Sequence, residues 1–396
     1  MKNIFRLLIL VMIGLSACKK PQVGETRTVG PSVPWPDTSS IHPKNGQFNT
    51  LLDKYKMKGF PGISLLVRDA NGTWIGSRGK ADIGNNIDFV PGTVSKVASI
   101  TKLMIGTLVF KMMEDSARTG MGYSALNKKV KDWLPDRIIK RLANGDRITL
   151  GQCMKHETGI QDIIEIDAFY LAVLNEPNKK WKPEELLEFV YDEDALFTEG
   201  DTAIYTNTNF ILVAMVLEAQ SGKNHADLLK QYIIQPLGMT NTYYQPHDEL
   251  PNDVAQGYYD LYNNNTILNV SNLVTGSGNG YGGIYSNLFD LQKFGEALFI
   301  QKTLLDPQSF SIMQTYGKLD GTNFYGYGLQ KSFLNDGLNY GIGHKGRDVG
   351  YTANLFYFPN KGVMHIFFIN YGTDGDSRLG DIFFEFQEEL INLTLN

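Results

Sequence analysis

The chain has 396 residues, 42% hydrophobic and 20% charged, enough to bury a large core as one big domain or two lobes. Its formal net charge of −5 at pH 7 leaves no basic field, which argues against a nucleic-acid partner and gives no sign of anionic-lipid recognition.

Lys2 and Arg6 precede an apolar run over 7–15 that is too short to span a bilayer as a settled helix, and Leu15-Ser16-Ala17-Cys18 follows it. This resembles a bacterial lipoprotein signal with Leu-Ser-Ala-Cys as its lipobox. The resemblance implies a signal peptide over 1–17, lipidation of the Cys18 thiol, and a mature chain anchored to a membrane of the bacterial cell envelope, facing the periplasm or the exterior. Lipidation leaves Cys153 as the other cysteine, without an intrachain partner. Its setting in the apolar-periodic stretch 148–154 predicts a buried core residue.

Residues 18–45 carry Pro21, Pro31, Pro34, Pro36 and Pro43 with few core formers, and read as an extended tether. The folded domain is expected over 46–396. It opens with a helix over 48–58, carried by Leu51, Leu52 and Tyr55, and a β-hairpin of strands 62–68 and 73–78 around Asp69-Ala70-Asn71-Gly72. Helical periodicity begins at Ser99 and dominates to about residue 250, with short helices over 183–191, 207–221 and 225–234. Strand-like stretches return at 280–286 and 324–329, then a hairpin of 351–358 and 364–371, and a closing helix over 377–392. The predicted fold is therefore α/β of the α+β kind. An antiparallel sheet flanked by helices is formed by both chain ends, with an inserted, mainly helical lobe over about 100–270.

Ser-x-x-Lys occurs at Ser16/Lys19, Ser77/Lys80 and Ser99/Lys102. The first lies in the signal, and strand alternation separates the second pair. At the start of a helix, Ser99 and Lys102 fall on one face a turn apart, where an amine can exchange a proton with a hydroxyl. Ser99 could alternatively serve only as a helix cap. Tyr205-Thr206-Asn207 opens the helix over 207–221. There Tyr205 can shuttle a proton if positive charge favours its phenolate, and Asn207 can hydrogen-bond a substrate carbonyl. His344-Lys345-Gly346 is placed just before a late strand, where glycine lets backbone N–H groups approach a substrate. None of the six histidines forms a close H-x-H or H-E-x-x-H pair, and G-x-S-x-G is absent. No metal or cofactor is expected.

In this order the motifs resemble the class C β-lactamase and penicillin-binding-protein-like serine hydrolases, a family that includes DD-peptidases and esterases. Pro61-Gly62-Ile63-Ser64, His156-Glu157-Thr158-Gly159-Ile160, Leu237-Gly238-Met239, Gly282-Gly283-Ile284-Tyr285-Ser286 and Tyr325-Gly326-Tyr327-Gly328 add to it, so the likeness runs from Phe48 to the C-terminus. The resemblance implies a DD-peptidase/β-lactamase-like fold and makes Ser99 the acylated nucleophile, with Lys102 and Tyr205 the acid/base pair. Asn207, His344, Gly346 and Arg347 would bind substrate, the backbone N–H groups of Ser99 and Arg347 forming the oxyanion hole. The expected partner is a small-molecule or peptide substrate: a D-amino-acid peptide, then a β-lactam, then a small ester. His344-Lys345-Gly346 stands where the family's β-lactamases carry Lys-Thr-Gly, which resembles the esterase and peptidase branches. A catalytically silent peptide-binding lipoprotein is the alternative. His156 is expected to make a structural hydrogen bond.

Overall fold

The computed structural model describes residues 26–32, 35, 37–276, 278–334, 339–374 and 377–396. The signal segment and Cys18 lie outside the described residues. Fourteen strands are β1 (Gly62–Asp69), β2 (Gly72–Asp82), β3 (Ile87–Asp88), β4 (Ser95–Lys96), β5 (Tyr243–Tyr244), β6 (Tyr258–Tyr259), β7 (Leu268–Asn269), β8 (Ile284–Ser286), β9 (Leu319–Asp320), β10 (Asn323–Tyr325), β11 (Gln330–Ser332), β12 (Gly341–Asp348), β13 (Tyr351–Phe358) and β14 (Val363–Ile369) among those residues. The main sheet runs β3-β2-β1-β14-β13-β12-β11-β10-β9. Both chain ends therefore build it, as predicted, and they meet where β1 pairs antiparallel with β14, Ile63 opposite Ile369 and Arg68 opposite Met364.

The central strands are apolar on both faces because both faces are covered. Ile63, Leu65 and Val67 of β1 and Phe367 and Ile369 of β14 join one core, with Phe48, Leu52 and Tyr55 from the helix Asn45–Met57 and Phe383, Phe386 and Leu390 from the helix Gly380–Leu395. The alternate residues Leu66, Met364, Ile366 and Phe368 join the second core. That core contains the helices Ile100–Glu114 and Leu288–Gly295 and the helical lobe. A strand period of two thus sends alternate side chains into two cores. The helix Ile100–Glu114 is buried on nearly all sides, from Ile100 to Met113 with only Lys111 partly exposed, which suits a helix at the centre of a large core. Gly106 permits this: a Cβ there would lie 2.6 Å from the Tyr327 carbonyl oxygen.

Several elements differ from the sequence reading. Of 280–286 only Ile284–Ser286 is strand. Gly278, Gly280 and Gly283 take φ of 95°, 95° and 102°, so the segment before β8 is a glycine coil. The closing helix is displaced to Gly380–Leu395, and the 225–234 helix passes into a wider π turn after Leu229. The segment read as a tether is docked over its described part. Arg27 N donates to Asn252 O at 2.7 Å, Trp35 packs 5.6 Å from the Phe289 ring, and Ser39 Oγ accepts from Ile75 N at 2.9 Å. A few anchoring side chains suffice to seat a proline-rich segment that has no core of its own.

Candidate active site

β4, β8 and β5 form a small second sheet that fixes the approach to Ser99. Val97 N donates to Ile284 O at 2.9 Å, and Ala98 is then held at φ 49°, a left-handed conformation unusual for a residue with a Cβ. Ser99 follows at the head of the helix Ile100–Glu114 and makes no side-chain cap bond. Its hydroxyl is thus not spent on capping. The Ser77/Lys80 pair, by contrast, is dispersed: Ser77 Oγ meets Ser64 Oγ at 2.7 Å and Lys80 Nζ meets Asp88 at 2.5 Å.

Lys102 Nζ lies 3.0 Å from Ser99 Oγ. It donates to Asn207 Oδ1 at 2.6 Å and to the Tyr281 carbonyl oxygen at 2.9 Å. Asn207 Nδ2 donates in turn to Asp162 Oδ2 at 3.0 Å, which fixes the orientation of the amide with its oxygen toward Lys102. Lys102 is fully buried, and burial pulls its pKa down to about 7 against the opposing pull of Asp162 and Asp348. Asp162, also buried, is pushed up to about 6. A neutral Lys102 amine has two hydrogens and one lone pair. Asn207 Oδ1 and Tyr281 O take the hydrogens, and the lone pair remains for the Ser99 hydroxyl.

The helix Asn207–Ser221 starts beside this group, capped by Thr206 Oγ1 on Thr208 N at 3.2 Å. Tyr205, one residue earlier, stands near the Ser99 hydroxyl, whose pull on the phenol is outweighed by burial, and carries Lys102 Nζ 4.9 Å from its ring centre. Burial pushes the phenol well above its ordinary pKa. The phenolate considered from the sequence is therefore not favoured, and Tyr205 stays a neutral donor at pH 7. His156 holds this tyrosine from behind. Its Nδ1 accepts from Thr206 N at 3.2 Å, its ring lies 4.4 Å from that of Tyr205, and burial keeps it neutral. The structural hydrogen bond expected of His156 is present. His156→Ala removes that acceptor and the ring beneath Tyr205; it is expected to lower unfolding stability by about 1–3 kcal/mol in denaturant titration.

His344, Lys345, Gly346 and Arg347 lie within β12, not before it. Gly346 lets the strand close onto the serine turn, since a Cβ there would sit 2.2 Å from Val97 O. Lys345 N donates toward the β11 side, to Gln330 Oε1 at 3.1 Å. Strand alternation aims Arg347 N–H at the same edge, which β11 leaves uncovered because its pairing with β12 reaches only Gln330 opposite Gly343. One arm of the Arg347 side chain is held elsewhere: Nη1 donates to Gly346 O, Ala353 O and Asn354 Oδ1 at 2.7, 2.9 and 3.0 Å, and the guanidinium packs 4.4 Å from the Phe383 ring. His344 is buried and pushed down to about 3, and its Nδ1 donates to Lys345 O at 2.6 Å. It is a neutral side chain at pH 7, not a cation.

Ser99, Asn207 and Arg347 line one cavity of about 360 Å³, whose walls include Ile164, Tyr170, Val173, Leu174 and Leu273. Cys153 is buried in the core with its thiol pushed up by burial, away from a nucleophile's range. Two groups were missed from the sequence. Asp162 gives no signal beyond an acid inside the apolar stretch Ile160 to Ile164. Tyr281 acts through its backbone carbonyl, which side-chain motifs do not encode.

The family model described as Beta-lactamase matches residues 48–387. The chain is 27% identical over 239 residues to the D-alanyl-D-alanine-carboxypeptidase/endopeptidase AmpH of Escherichia coli K12, a match covering 60% of this chain and 57% of that relative. The D-stereospecific amidohydrolase from a Streptomyces species superposes with a TM-score of 0.73 at 26% identity, covering 84% of this chain and 96% of that one. The D-amino acid amidase from Ochrobactrum anthropi SV3 shares the fold with a TM-score of 0.75 at 22% identity, covering 88% and 97%. With the family model spanning most of its length, the chain belongs to the beta-lactamase family.

Proposed function

We propose that the chain is a serine hydrolase that cleaves an amide or ester through an acyl-Ser99 intermediate. One observation carries this reading: a fully buried amine stands 3.0 Å from the serine hydroxyl, with Asn207 Oδ1 and the Tyr281 carbonyl oxygen as its other partners, and burial pulls its pKa down toward the neutral form. Ser99 Oγ bonds to the substrate carbonyl carbon while its proton passes to Lys102 Nζ. The oxyanion is met by the N–H groups of Ser99 and Arg347, and the positive end of the helix Ile100–Glu114 adds to this. On collapse the bond to the leaving nitrogen or oxygen breaks. That atom takes a proton from the Lys102–Tyr205 pair, and water then repeats the sequence on the acyl-enzyme. Asn207 retains one amide hydrogen beyond those facing Asp162, and lines the cavity, so it can orient the substrate carbonyl.

The substrate classes, in order, are D-amino-acid peptides, which the likeness to AmpH and the amidohydrolase supports, then β-lactams and small esters. A plain esterase gains weight from the neutral His344, which stands where the family's β-lactamases carry a lysine and supplies no positive charge for a carboxylate. The test exposes the soluble domain and Ser99→Ala to a fluorophosphonate and a fluorescent penicillin, read by intact mass. A Ser99-dependent adduct is expected. No adduct with either probe would leave a silent binding protein instead, and a fluorophosphonate adduct alone would favour the esterase. We also infer lipid anchoring at Cys18 in the cell envelope, supported by Lys2, Arg6, the apolar run and the lipobox. Metabolic lipid label should be lost in Cys18→Ser, and its persistence would overturn the anchor.

A further inference from the structure

The oxyanion hole lies where two sheets meet. Ser99 follows β4, which pairs with β8 in the small sheet, Lys96 opposite Tyr285. Arg347 belongs to β12 of the main sheet, where the next residue, Asp348, pairs with Tyr351 of β13. The two N–H groups that would meet an oxyanion are therefore carried by separate sheets. Backbone ladders hold strands within a sheet and do not set the gap between these donors. Contacts from one sheet to the other must do so.

The Lys96 and Asp348 side chains make such a contact. Lys96 Nζ, from β4, lies 2.7 Å from Asp348 Oδ2 at the end of β12. Lys96 stands three residues before Ser99, and Asp348 directly follows Arg347. Both side chains are largely out of water, 4% and 12% exposed. The ammonium sits 6.0 Å from the Tyr285 ring centre and 5.7 Å from that of Tyr351, one ring from each sheet. Asp348 is held from its own side as well, its Oδ1 accepting from Val349 N at 2.8 Å and Thr275 Oγ1 at 2.9 Å. The close seat of Gly346 against Val97 O limits how near β12 can come, and the ion pair draws it in; together they define one separation.

A buried ion pair is a poor source of net stability, since desolvation of both charges offsets their attraction and apolar residues of like volume often serve as well. What it does supply is a directional distance between the two elements it joins. We propose that the buried Lys96–Asp348 ion pair is a clamp that fixes the separation of the Ser99 and Arg347 N–H groups, making Lys96 and Asp348 positioning residues for the oxyanion hole. The proposal rests on the acyl-Ser99 reading for the rate it governs. Asp348 also acts through its charge: like Asp162 it favours the Lys102 ammonium, so geometry is read at a pH where Lys102 is already neutral.

The test compares wild type with the double variant Lys96→Met/Asp348→Asn, which removes both charges and leaves neither buried alone. With a chromogenic ester at about pH 9, above the Lys102 pKa of about 7, kcat should fall about 10²-fold, the scale of a misplaced catalytic group. KM and melting temperature should stay near those of wild type. In amide hydrogen exchange, peptides over 94–99 and 344–350 should quicken while the rest of the chain does not. A kcat near that of wild type would overturn the proposal. So would a raised KM at unchanged kcat, which would make Asp348, a residue of the cavity wall, a substrate contact. Exchange that quickens throughout the chain would mark a general loosening and overturn it too. If wild-type Ser99 takes no fluorophosphonate, the acyl-serine reading fails and exchange alone judges the clamp: quickening confined to the two stretches upholds it, and its absence overturns it.

Discussion

Lys102→Met is expected to slow acylation of Ser99 by about 10²–10⁴-fold, the scale of a positioned general base, while leaving the fold in place. Methionine keeps most of the buried stem and discards the amine. Asn207 Oδ1 and Tyr281 O each lose the donor they now have at 2.6 and 2.9 Å, a cost of about 1–3 kcal/mol per acceptor. Against that, the variant no longer desolvates an amine. Stopped-flow acylation and thermal unfolding measured on the same preparation separate the two consequences. A large kinetic loss with a small change in melting temperature is expected, whereas a loss below tenfold would mean that another group takes the serine proton.

Gly346→Ala is expected to be nearly as damaging through geometry alone. The new Cβ would lie 2.2 Å from Val97 O and 3.1 Å from Val97 C. Both are backbone atoms, so no side chain can yield. Strand β12 must draw back from the Val97-Ala98-Ser99 turn and carry the Arg347 N–H with it. Splaying one oxyanion donor costs about 10²–10³ in kcat, and the overpacking about 1–3 kcal/mol in stability. Steady-state kinetics with a chromogenic ester and denaturant unfolding read the two effects. Unchanged kcat would separate β12 from oxyanion binding.

The parts of this molecule that were legible in the sequence are those written in periodicity and side-chain identity. The terminal strands were readable because 62–68 and 351–371 are dense in β-branched and aromatic residues, and the helix Asn207–Ser221 because Thr206 and Gly222 mark its ends. Ser99, Lys102, Tyr205 and Asn207, far apart in the chain, do converge, with Lys102 reaching Ser99 and Asn207 at 3.0 and 2.6 Å. What escaped depends on backbone and on surroundings. The carbonyl of Tyr281 that reaches Lys102 sits in a coil where Gly278, Gly280 and Gly283 adopt left-handed φ, and such a coil reads as strand when only residue types are counted. Burial decides that His344 and His156 are neutral and that Tyr205 keeps its proton, and burial is a property of the whole fold. The docked segment around Trp35 and Ser39 was hidden for a similar reason, since proline content masks a few well-placed anchors.

The central claim is that a neutral, buried Lys102 activates Ser99, and the pH dependence of acylation tests it most directly. Lys102 must be unprotonated to accept the serine proton, so the fluorophosphonate labelling rate should fall as pH drops through the Lys102 pKa, about 7. Asp162 favours the ammonium form, so in Asp162→Asn the midpoint should move to lower pH. A rate that stays flat down to pH 5, or a midpoint that does not move when Asp162 loses its charge, would contradict the account.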